Sequence, residues 1–209
     1  MKICFISDTH TLHKGLKIPD CDLLVHAGDI SSIGTEYQTY DFFNWIISLK
    51  NVKRFCMIAG NHDFYFENKA LTKEVLNNFP SVAYLENSGV EIDGLKIWGS
   101  PITPTFYNWA FMADRGKKIK KHWNQIPENL DILITHGPPK NILDRCPDGF
   151  HVGCEDLLEA IRDKKSKIHV FGHIHDGHGQ EKIGDTLFIN SSVLNEQYKI
   201  TYEPIVIEL

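Results

Sequence analysis

Short apolar runs recur along the chain, and longer stretches with a helical spacing of apolar residues separate them. Runs of about four to eight residues rich in Val, Ile, Leu and Phe are typical of buried strands. Strands are predicted at residues 2–7, 22–26, 52–59, 131–135, 167–171, 186–190 and 199–209. Residues 90–97 alternate between apolar and polar around Asp93-Gly94, which is the pattern of a β-hairpin.

Helices are predicted between these strands. Thr35 and Gln38 resemble a capping box. Four apolar side chains that follow it share one helix face, with the spacing i, i+3, i+4, i+7: Phe42, Trp45, Ile46 and Leu49. Further helices are predicted near residues 69–78, 114–125 and 155–164. Strands that alternate with helices indicate an α/β fold, and the last strands predict an antiparallel finish.

Length and composition limit the class of protein. With 209 residues, the chain suits a single domain over residues 1–209. Its 42% hydrophobic and 23% charged residues are typical of a soluble globular protein. No apolar run approaches the roughly 20 residues of a membrane span, and no signal-peptide pattern follows Met1. We therefore predict a cytoplasmic protein, whose five cysteines are reduced thiols.

The charge of the chain argues against a nucleic-acid-binding protein. The formal net charge is −5, so the chain lacks the broad basic surface that binds a phosphate backbone. Basic clusters such as residues 117–121 are interpreted as solvated helix faces. We therefore predict a small-molecule substrate, no stable complex with nucleic acid, no membrane association, and a monomer or homodimer.

Metal-binding and proton-transferring side chains follow five of the predicted strands. Each set alone is explained by a polar turn or by a core histidine, but five sets in the same position are not. Because ligand sites in α/β sheets lie beyond the carboxyl ends of strands, the five sets predict one site. The sets are Asp8-Thr9-His10, Gly28-Asp29, Gly60-Asn61-His62-Asp63, His136 and Gly172-His173-Ile174-His175.

The ligand types of this predicted site favour particular metals. Carboxylate, imidazole and amide groups without a thiolate suit Mn²⁺ best, with iron or zinc as alternatives. The number of groups exceeds the need of one ion, so two divalent ions are expected. Two ions about 3.5–4 Å apart are a common device for displacement at phosphorus.

The motif series D-x-H, G-D, G-N-H-D, H and G-H-x-H resembles that of the calcineurin-like metallophosphoesterases over essentially the whole chain. Residues 135–139 and 170–175 and the aromatic segment around Trp109 resemble the small MPPED-type members, a group that includes cyclic-nucleotide phosphodiesterases. The resemblance implies a four-layer α/β/β/α sandwich of two mixed sheets flanked by helices. It also implies a phosphodiesterase acting on cyclic nucleotides or similar small diesters.

The resemblance also implies a role for each motif residue. One ion would be held by Asp8, His10, Asp29 and His175. The other would be held by Asp29, Asn61, His136 and His173. A hydroxide that bridges the ions would attack phosphorus, and His62 would protonate the leaving oxygen as a general acid. Asp63 would orient the His62 ring or would serve only the turn.

Other readings and residues stay open at this point. A phosphomonoesterase or protein phosphatase is disfavoured, because Gly28-Asp29 continues without the arginine usual in that group. A nuclease or a non-catalytic metal-binding scaffold fits less well, because the chain is acidic and every motif position is filled.

The aromatic segment 106–109 would stack a nucleobase or pack a satellite core. His26 is interpreted as a core or supporting residue. The remaining histidines are interpreted as structural or exposed: His13, His122, His151, His169 and His178.

Overall fold

The computed structural model describes all residues, 1–209. Its α-helices are α1 Glu36–Ser48, α2 Lys69–Asn78, α3 Lys117–Trp123 and α4 Glu155–Ile161. Its strands are β1 Lys2–Ile6, β2 Cys21–His26, β3 Val52–Met57, β4 Val82–Tyr84, β5 Ser88–Ile92, β6 Leu95–Ser100, β7 Thr103–Pro104, β8 Met112–Ala113, β9 Ile132–Thr135, β10 Ile168–Phe171, β11 Gly179–Ile183, β12 Thr186–Asn190 and β13 Ile205–Glu208.

Two mixed sheets form the centre of the molecule. The first has the strand order β13-β1-β2-β3-β4, and the second has the order β11-β12-β10-β9-β6-β5. In the first sheet only β13 is antiparallel to its neighbour. In the second, β5 and β11 are antiparallel at the edges of four parallel strands. The carboxyl ends of the parallel strands within each sheet therefore point to one edge.

The sheets pack face to face, and the helices cover their outer faces. Alternate residues of β1 and β2, such as Phe5 and Val25, form one buried cluster with Ile134 of β9 and Val170 of β10. The other face of the strands packs against Phe42 of α1 and the remaining helices. Burial of aliphatic side chains on both faces explains why the parallel strands appear in the sequence as continuous apolar runs. The predicted α/β/β/α sandwich is confirmed.

Most predicted helices and strands are confirmed, and the structure explains where helices α1 and α3 begin. Helix α2 and strand β12 have the predicted bounds. Thr35 caps α1, since its hydroxyl accepts a hydrogen bond from the Gln38 N–H at 3.2 Å. The Gln38 side chain accepts from Ile33 rather than from Thr35, so the capping box is not reciprocal. Helix α3 is shorter than predicted because Gly116, with φ +78°, directly precedes it.

The end of the chain differs from the prediction. Only Ile205–Glu208 of the predicted strand 199–209 is a strand. The predicted antiparallel finish is present, since β13 is antiparallel to β1 and β12 is antiparallel to β11, although β12 is also parallel to β10. The N–H groups of Thr201 and Tyr202 both bond the carbonyl of Val193, which bends the chain, and Pro204 has no N–H to donate. Four further strands were not predicted: the short strands β4, β7 and β8 and the edge strand β11. Their two to five residues carry no clear apolar period.

All five cysteines are free, as predicted. No helix combines the length and apolarity that crossing a membrane requires. The assignment of a single domain and of a cytoplasmic location stay predictions.

His169, at the centre of β10, predicts how stability depends on pH. The Thr135 hydroxyl donates to the Gly137 carbonyl, so it accepts its 2.9 Å hydrogen bond from the His169 Nε2–H. The ring is neutral between Phe171 and Phe188, and burial lowers its pKa from 6.5 to about 3. Because the folded pKa lies below the unfolded one, this contribution is complete above pH 6.5 and is lost as the pH falls toward 3.

We therefore expect His169→Leu to make the protein less sensitive to acid. One proton taken up on unfolding changes the free energy of unfolding by about 1.4 kcal/mol per pH unit. Between pH 6.5 and pH 5, the wild type should lose about 2 kcal/mol more than the variant. Urea unfolding at both pH values measures this difference. Equal losses in the two proteins would show that His169 is not the group that takes up the proton.

Candidate metal centre

The strand-end residues of the two sheets meet at one edge of the sandwich. The loops after β1, β2 and β3 face the loops after β9 and β10, at close range. A Cβ on Gly172 would overlap the Asp8 carboxylate, and a Cβ on Gly60 would overlap that of Asp29. Glycine is required at both positions because backbone from one loop contacts an acidic side chain from another.

The backbone itself aims several of these side chains. Four motif residues that are not glycine have left-handed φ angles: Asp8 at +55°, His10 at +40°, Asp29 at +59° and His173 at +69°. Residues held in this region are strained and cluster at functional sites. Four of the fourteen non-glycine residues with positive φ are therefore motif residues of this one site.

One set of donor atoms comes from Asp8, His10 and His175, whose ligand atoms all lie within 4.8 Å of one another. Carbonyl oxygens hold the two rings, since His10 Nδ1 lies 3.1 Å from the Ser31 oxygen and His175 Nδ1 lies 3.1 Å from the Asn195 oxygen. A carbonyl only accepts, so each Nδ1 carries the proton. Both Nε2 atoms are thereby free to bind a cation.

A second set comes from Asp29, His136 and His173 and meets the same 4.8 Å criterion. His136 Nδ1 donates to the Ala27 carbonyl at 2.9 Å, and its Nε2 lies 3.2 Å from Asp29 Oδ2. The Asn61 Oδ1 lies 2.9 Å from the same Nε2. Asp29 Oδ2 also lies 3.6 Å from His10 Nε2, so this carboxylate faces both sets.

The electrostatics of the centre favour cations. Burial disfavours charge on His136 and His175, but the carboxylates of Asp29 and Asp8 outweigh it and raise both imidazole pKa values to about 9. The pKa of each carboxyl is lowered in turn, despite burial. These buried acids therefore attract positive charge.

One buried nitrogen supports the binding of a metal at this position. His10 Nε2 is buried and has no hydrogen-bond partner. A buried nitrogen left without a partner is costly, and a cation between His10, Asp8 and Asp29 would satisfy it.

Comparison with known proteins identifies the family. The family profile of the calcineurin-like phosphoesterases matches residues 1–177, a span that contains every strand-end motif. The chain belongs to the calcineurin-like phosphoesterase family. Proteins of this family are phosphoric ester hydrolases that use divalent metals, and the two donor sets lie where such metals would bind.

Relatives that match nearly the whole of this chain confirm the MPPED-type resemblance of this phosphoesterase. Human metallophosphoesterase domain-containing protein 1 is 38% identical over 227 residues, covering 98% of this chain and 69% of the human protein. The Caenorhabditis elegans UPF0046 protein C25E10.12 is 37% identical and is covered to 79% of its length.

Solved structures share the fold of this phosphoesterase. The protein TT1561 of Thermus thermophilus has a TM-score of 0.61 at 13% identity, covering 90% of this chain and 88% of that chain. A structure described as a novel archaeal phosphodiesterase has a TM-score of 0.52 at 20% identity, covering 99% and 100%. At these identities the likeness shows the fold alone.

His62 lies beside the metal ligand candidates of this phosphoesterase. Its ring centroid is 4.6 Å from that of His10, and its Nδ1 donates to the Ser32 carbonyl at 2.7 Å. The indole ring of Trp109 packs on its other side, 4.2 Å away at 31°. The ring is thus fixed by one hydrogen bond and one aromatic contact, and its Nε2 is free. His62 also lies within ligand range of His10 and Asp29.

Asp63 does not contact the His62 ring. Its buried carboxylate accepts hydrogen bonds from the N–H groups of Ile30, Ser31 and Gly60 and from the Ser31 hydroxyl. Burial and the charge of Asp29 raise the pKa of Asp63 to about 6. These contacts match the alternative of a turn role: Asp63 ties the loop after β3 to the loop after β2, and the Ser32 carbonyl orients His62 instead.

Several residues of the centre were not recognised from the sequence as contacts. Tyr198 lies in the irregular segment between β12 and β13, and its ring packs on His10 and His175 at 4.9 and 5.4 Å. The Ser192 hydroxyl donates to Asp8 at 2.7 Å and so supports this carboxylate. No spacing pattern links these C-terminal residues to the motifs. Only the hydroxyl next to the predicted strand end was a usable signal.

His26 holds the loop that carries the first motif. The Gly28 N–H donates to His26 Nδ1, so Nε2 carries the proton and donates to the Thr9 hydroxyl at 3.0 Å. Burial lowers the pKa of His26 to about 3, which keeps this ring neutral. Thr9 lies between Asp8 and His10, so the predicted supporting role of His26 has a physical basis.

Proposed function

We propose that this phosphoesterase is a dinuclear-metal phosphodiesterase that hydrolyses small diesters such as cyclic nucleotides. The observation that carries the proposal is the position of Asp29, whose Oδ2 lies 3.6 Å from His10 Nε2 and 3.2 Å from His136 Nε2. A carboxylate between two sets of imidazoles is suited to bridge two ions. Two such donor sets with one shared acid suit a pair of ions better than a single structural metal.

Each ion has an expected set of ligands. Asp8, His10, Asp29 and His175 would hold one ion. Asp29, Asn61, His136 and His173 would hold the other, with Asn61 adding an oxygen without adding charge. Divalent ions bound there would supply Lewis-acid stabilisation of the phosphate oxygens and activation of water.

His62 is proposed to move the proton. Since Nδ1–H donates to Ser32, the free Nε2 is the atom that exchanges a proton with substrate. In the protonated form it would donate to the leaving ester oxygen, while the Ser32 carbonyl and Trp109 keep the ring in place. Proton donation matters most when the leaving group is an alkoxide, as in a cyclic nucleotide.

A diester fits the cleft over these residues better than a monoester. The cleft has a volume of about 180 Å³ and contains neither lysine nor arginine. A diester carries one negative charge and a monoester carries two at neutral pH, so a site whose positive charge comes from the proposed ions and the imidazoles, with no lysine or arginine for the second charge, favours the diester. Nine residues line the cleft: His10, Asp29, Asn61, His62, Phe106, Trp109, His173, His175 and Tyr198.

Turnover by reloaded protein tests the proposed function. Metal-free protein is reloaded with Mn²⁺ and assayed on bis-p-nitrophenyl phosphate, p-nitrophenyl phosphate, 2′,3′-cyclic AMP and 3′,5′-cyclic AMP. We expect metal-dependent hydrolysis of diesters well above that of the monoester. Faster hydrolysis of the monoester would indicate a phosphomonoesterase, and bound metal without any turnover would indicate a binding protein. Parallel reloading with zinc or iron tests the manganese preference.

Trp109→Ala should lower kcat on cyclic nucleotides, whose leaving alkoxide needs a proton from His62, by roughly two- to tenfold, the factor that corresponds to an aromatic contact of about 0.5–1.5 kcal/mol, and should lower it less on bis-p-nitrophenyl phosphate. The reason is that Trp109 packs on His62 and fixes the orientation of its ring. Trp109→Phe is the matched control and should retain most of kcat. A rise in KM confined to cyclic nucleotides would show instead that Trp109 stacks a nucleobase.

A further inference from the structure

A second cleft opens beside the metal cleft. It has a volume of about 440 Å³ and shares the side chains of Phe106 and His173 with the metal cleft. The metal cleft alone falls below the roughly 300–1,000 Å³ of a typical small-molecule site, whereas the second cleft lies within that range. A nucleotide whose phosphate lies over the metal ligands therefore finds room for its remaining part in this adjoining side cleft.

The side cleft has one cationic wall. Arg115, Lys140 and His151 all line it. The Arg115 guanidinium donates to the carbonyls of Val152 and Gly153, at 3.2 and 3.3 Å, and forms no ion pair. Lys140 bonds the His151 carbonyl at 2.6 Å, and its one acidic neighbour, Glu155, lies 4.0 Å away. At least one positive charge of this wall is thus not neutralised by the protein.

The loop of residues 139–154 holds this wall in place. Two isolated β-bridges hold this loop closed. One is parallel, between Pro139 and Cys154, and the other is antiparallel, between Arg145 and His151. Within it, Asp144 is fully buried and binds His151 Nδ1 at 2.5 Å. The side chain of His151 is 41% exposed, and Nε2, on the opposite side of the ring, forms no hydrogen bond within the protein. A buried acid that orients a partly exposed imidazole is an arrangement the metal centre does not use.

Apolar side chains also line the side cleft: Pro104, Phe106 and Ile174. A ligand that contacts both kinds of side chain combines an apolar body with an anionic group. Guanidinium and ammonium groups together favour phosphate in particular.

We propose that the substrate is a nucleotide with a second phosphate, which the side cleft binds through Arg115, Lys140 and His151. This proposal rests on the proposed phosphodiesterase activity. The reacting phosphate lies over the metal ligands, and the second phosphate lies against the cationic wall. The side cleft then determines specificity without touching the reacting bond. Simple diesters without the second phosphate are hydrolysed but bind less tightly.

Binding of non-reacting nucleotides tests the side cleft separately from turnover. Calorimetric titration of the Mn²⁺-reloaded protein compares adenosine 3′,5′-bisphosphate with adenosine 3′-phosphate and adenosine 5′-phosphate. We expect the bisphosphate to bind about tenfold more tightly than either monophosphate, and the preference to shrink as salt rises. Equal affinities of the three nucleotides, or no binding of any, would overturn the proposal.

Variants separate the charge of Arg115 from its support of the loop. Arg115→Met should reduce the tenfold preference to less than about threefold, whereas Arg115→Lys keeps the charge and should retain most of it. Lys118→Met removes a charge from the exposed face of α3 and serves as the control that leaves the preference unchanged. Equal loss in Arg115→Met and Arg115→Lys, with a lower unfolding temperature in both, would assign Arg115 a structural role and refute the proposal.

The same preparation distinguishes failure of the two proposals. If bis-p-nitrophenyl phosphate is hydrolysed but the nucleotides bind equally, the activity stands and the side-cleft proposal is wrong. If the bisphosphate preference depends on Arg115 but no diester is hydrolysed, the side cleft stands and the proposed activity is wrong.

Discussion

Asp29→Ala should abolish binding of both metal ions and reduce hydrolysis of bis-p-nitrophenyl phosphate by at least about a thousandfold. Lewis-acid stabilisation by metals is worth several kcal/mol, and each 1.36 kcal/mol corresponds to a factor of ten. The effect is expected to reach both ions because one carboxylate faces His10 and His136. Metal content per chain, measured by plasma mass spectrometry, and initial rates test the prediction together.

A matched control comes from the other end of the same strand. Asp22 begins β2 near its amino end, is 31% exposed, and pairs with Lys53 away from the metal centre. Asp22→Ala removes an acid of the same type and should retain both ions and nearly full activity. Two ions per chain in Asp29→Ala would show that Asp29 does not bridge.

His62→Ala should keep both ions and lose most of the turnover of cyclic nucleotides. Loss of a general acid typically costs about 10²–10⁴-fold. The Ser32 carbonyl and Trp109 hold the ring in the position for this role. Metal content equal to that of the wild type, with kcat reduced in this range, is the expected result.

The leaving group makes this prediction specific. A p-nitrophenolate leaves without a proton, so His62→Ala should affect bis-p-nitrophenyl phosphate much less than 2′,3′-cyclic AMP. His122→Ala, on helix α3, is a control that should change neither rate. A loss of metal in His62→Ala would place His62 among the ligands, a position that its distance to His10 and Asp29 allows.

The sequence predicted the metal centre better than its surroundings. Asp8, Asp29 and His136 each follow an apolar run that only a buried strand explains, and parallel strands bring such ends to one edge. The mixed sandwich and the family followed from the same motifs. Strand order within each sheet depends on pairing between distant segments, which no local pattern encodes.

The contacts that could not be predicted from the sequence are made by residues in irregular backbone. Tyr198 reaches His10 because the chain bends where Val193 accepts two N–H groups. The pairing of Asp144 with His151 depends on the closure of a loop without any helical or strand period. The role of Asp63 was left between two alternatives, because its hydrogen bonds go to the backbone of another loop.

The left-handed backbone at Asp8, His10, Asp29 and His173 has a consequence for the amount of protein in a cell. Each such residue costs about 1–3 kcal/mol, so the metal-free chain gives up a substantial part of the stability of an ordinary domain. An ion that binds only the folded chain returns stability by mass action, in proportion to the logarithm of its concentration. Under the proposed function, metal starvation would therefore shorten the lifetime of the chain by exposing it to proteolysis, in addition to stopping its chemistry.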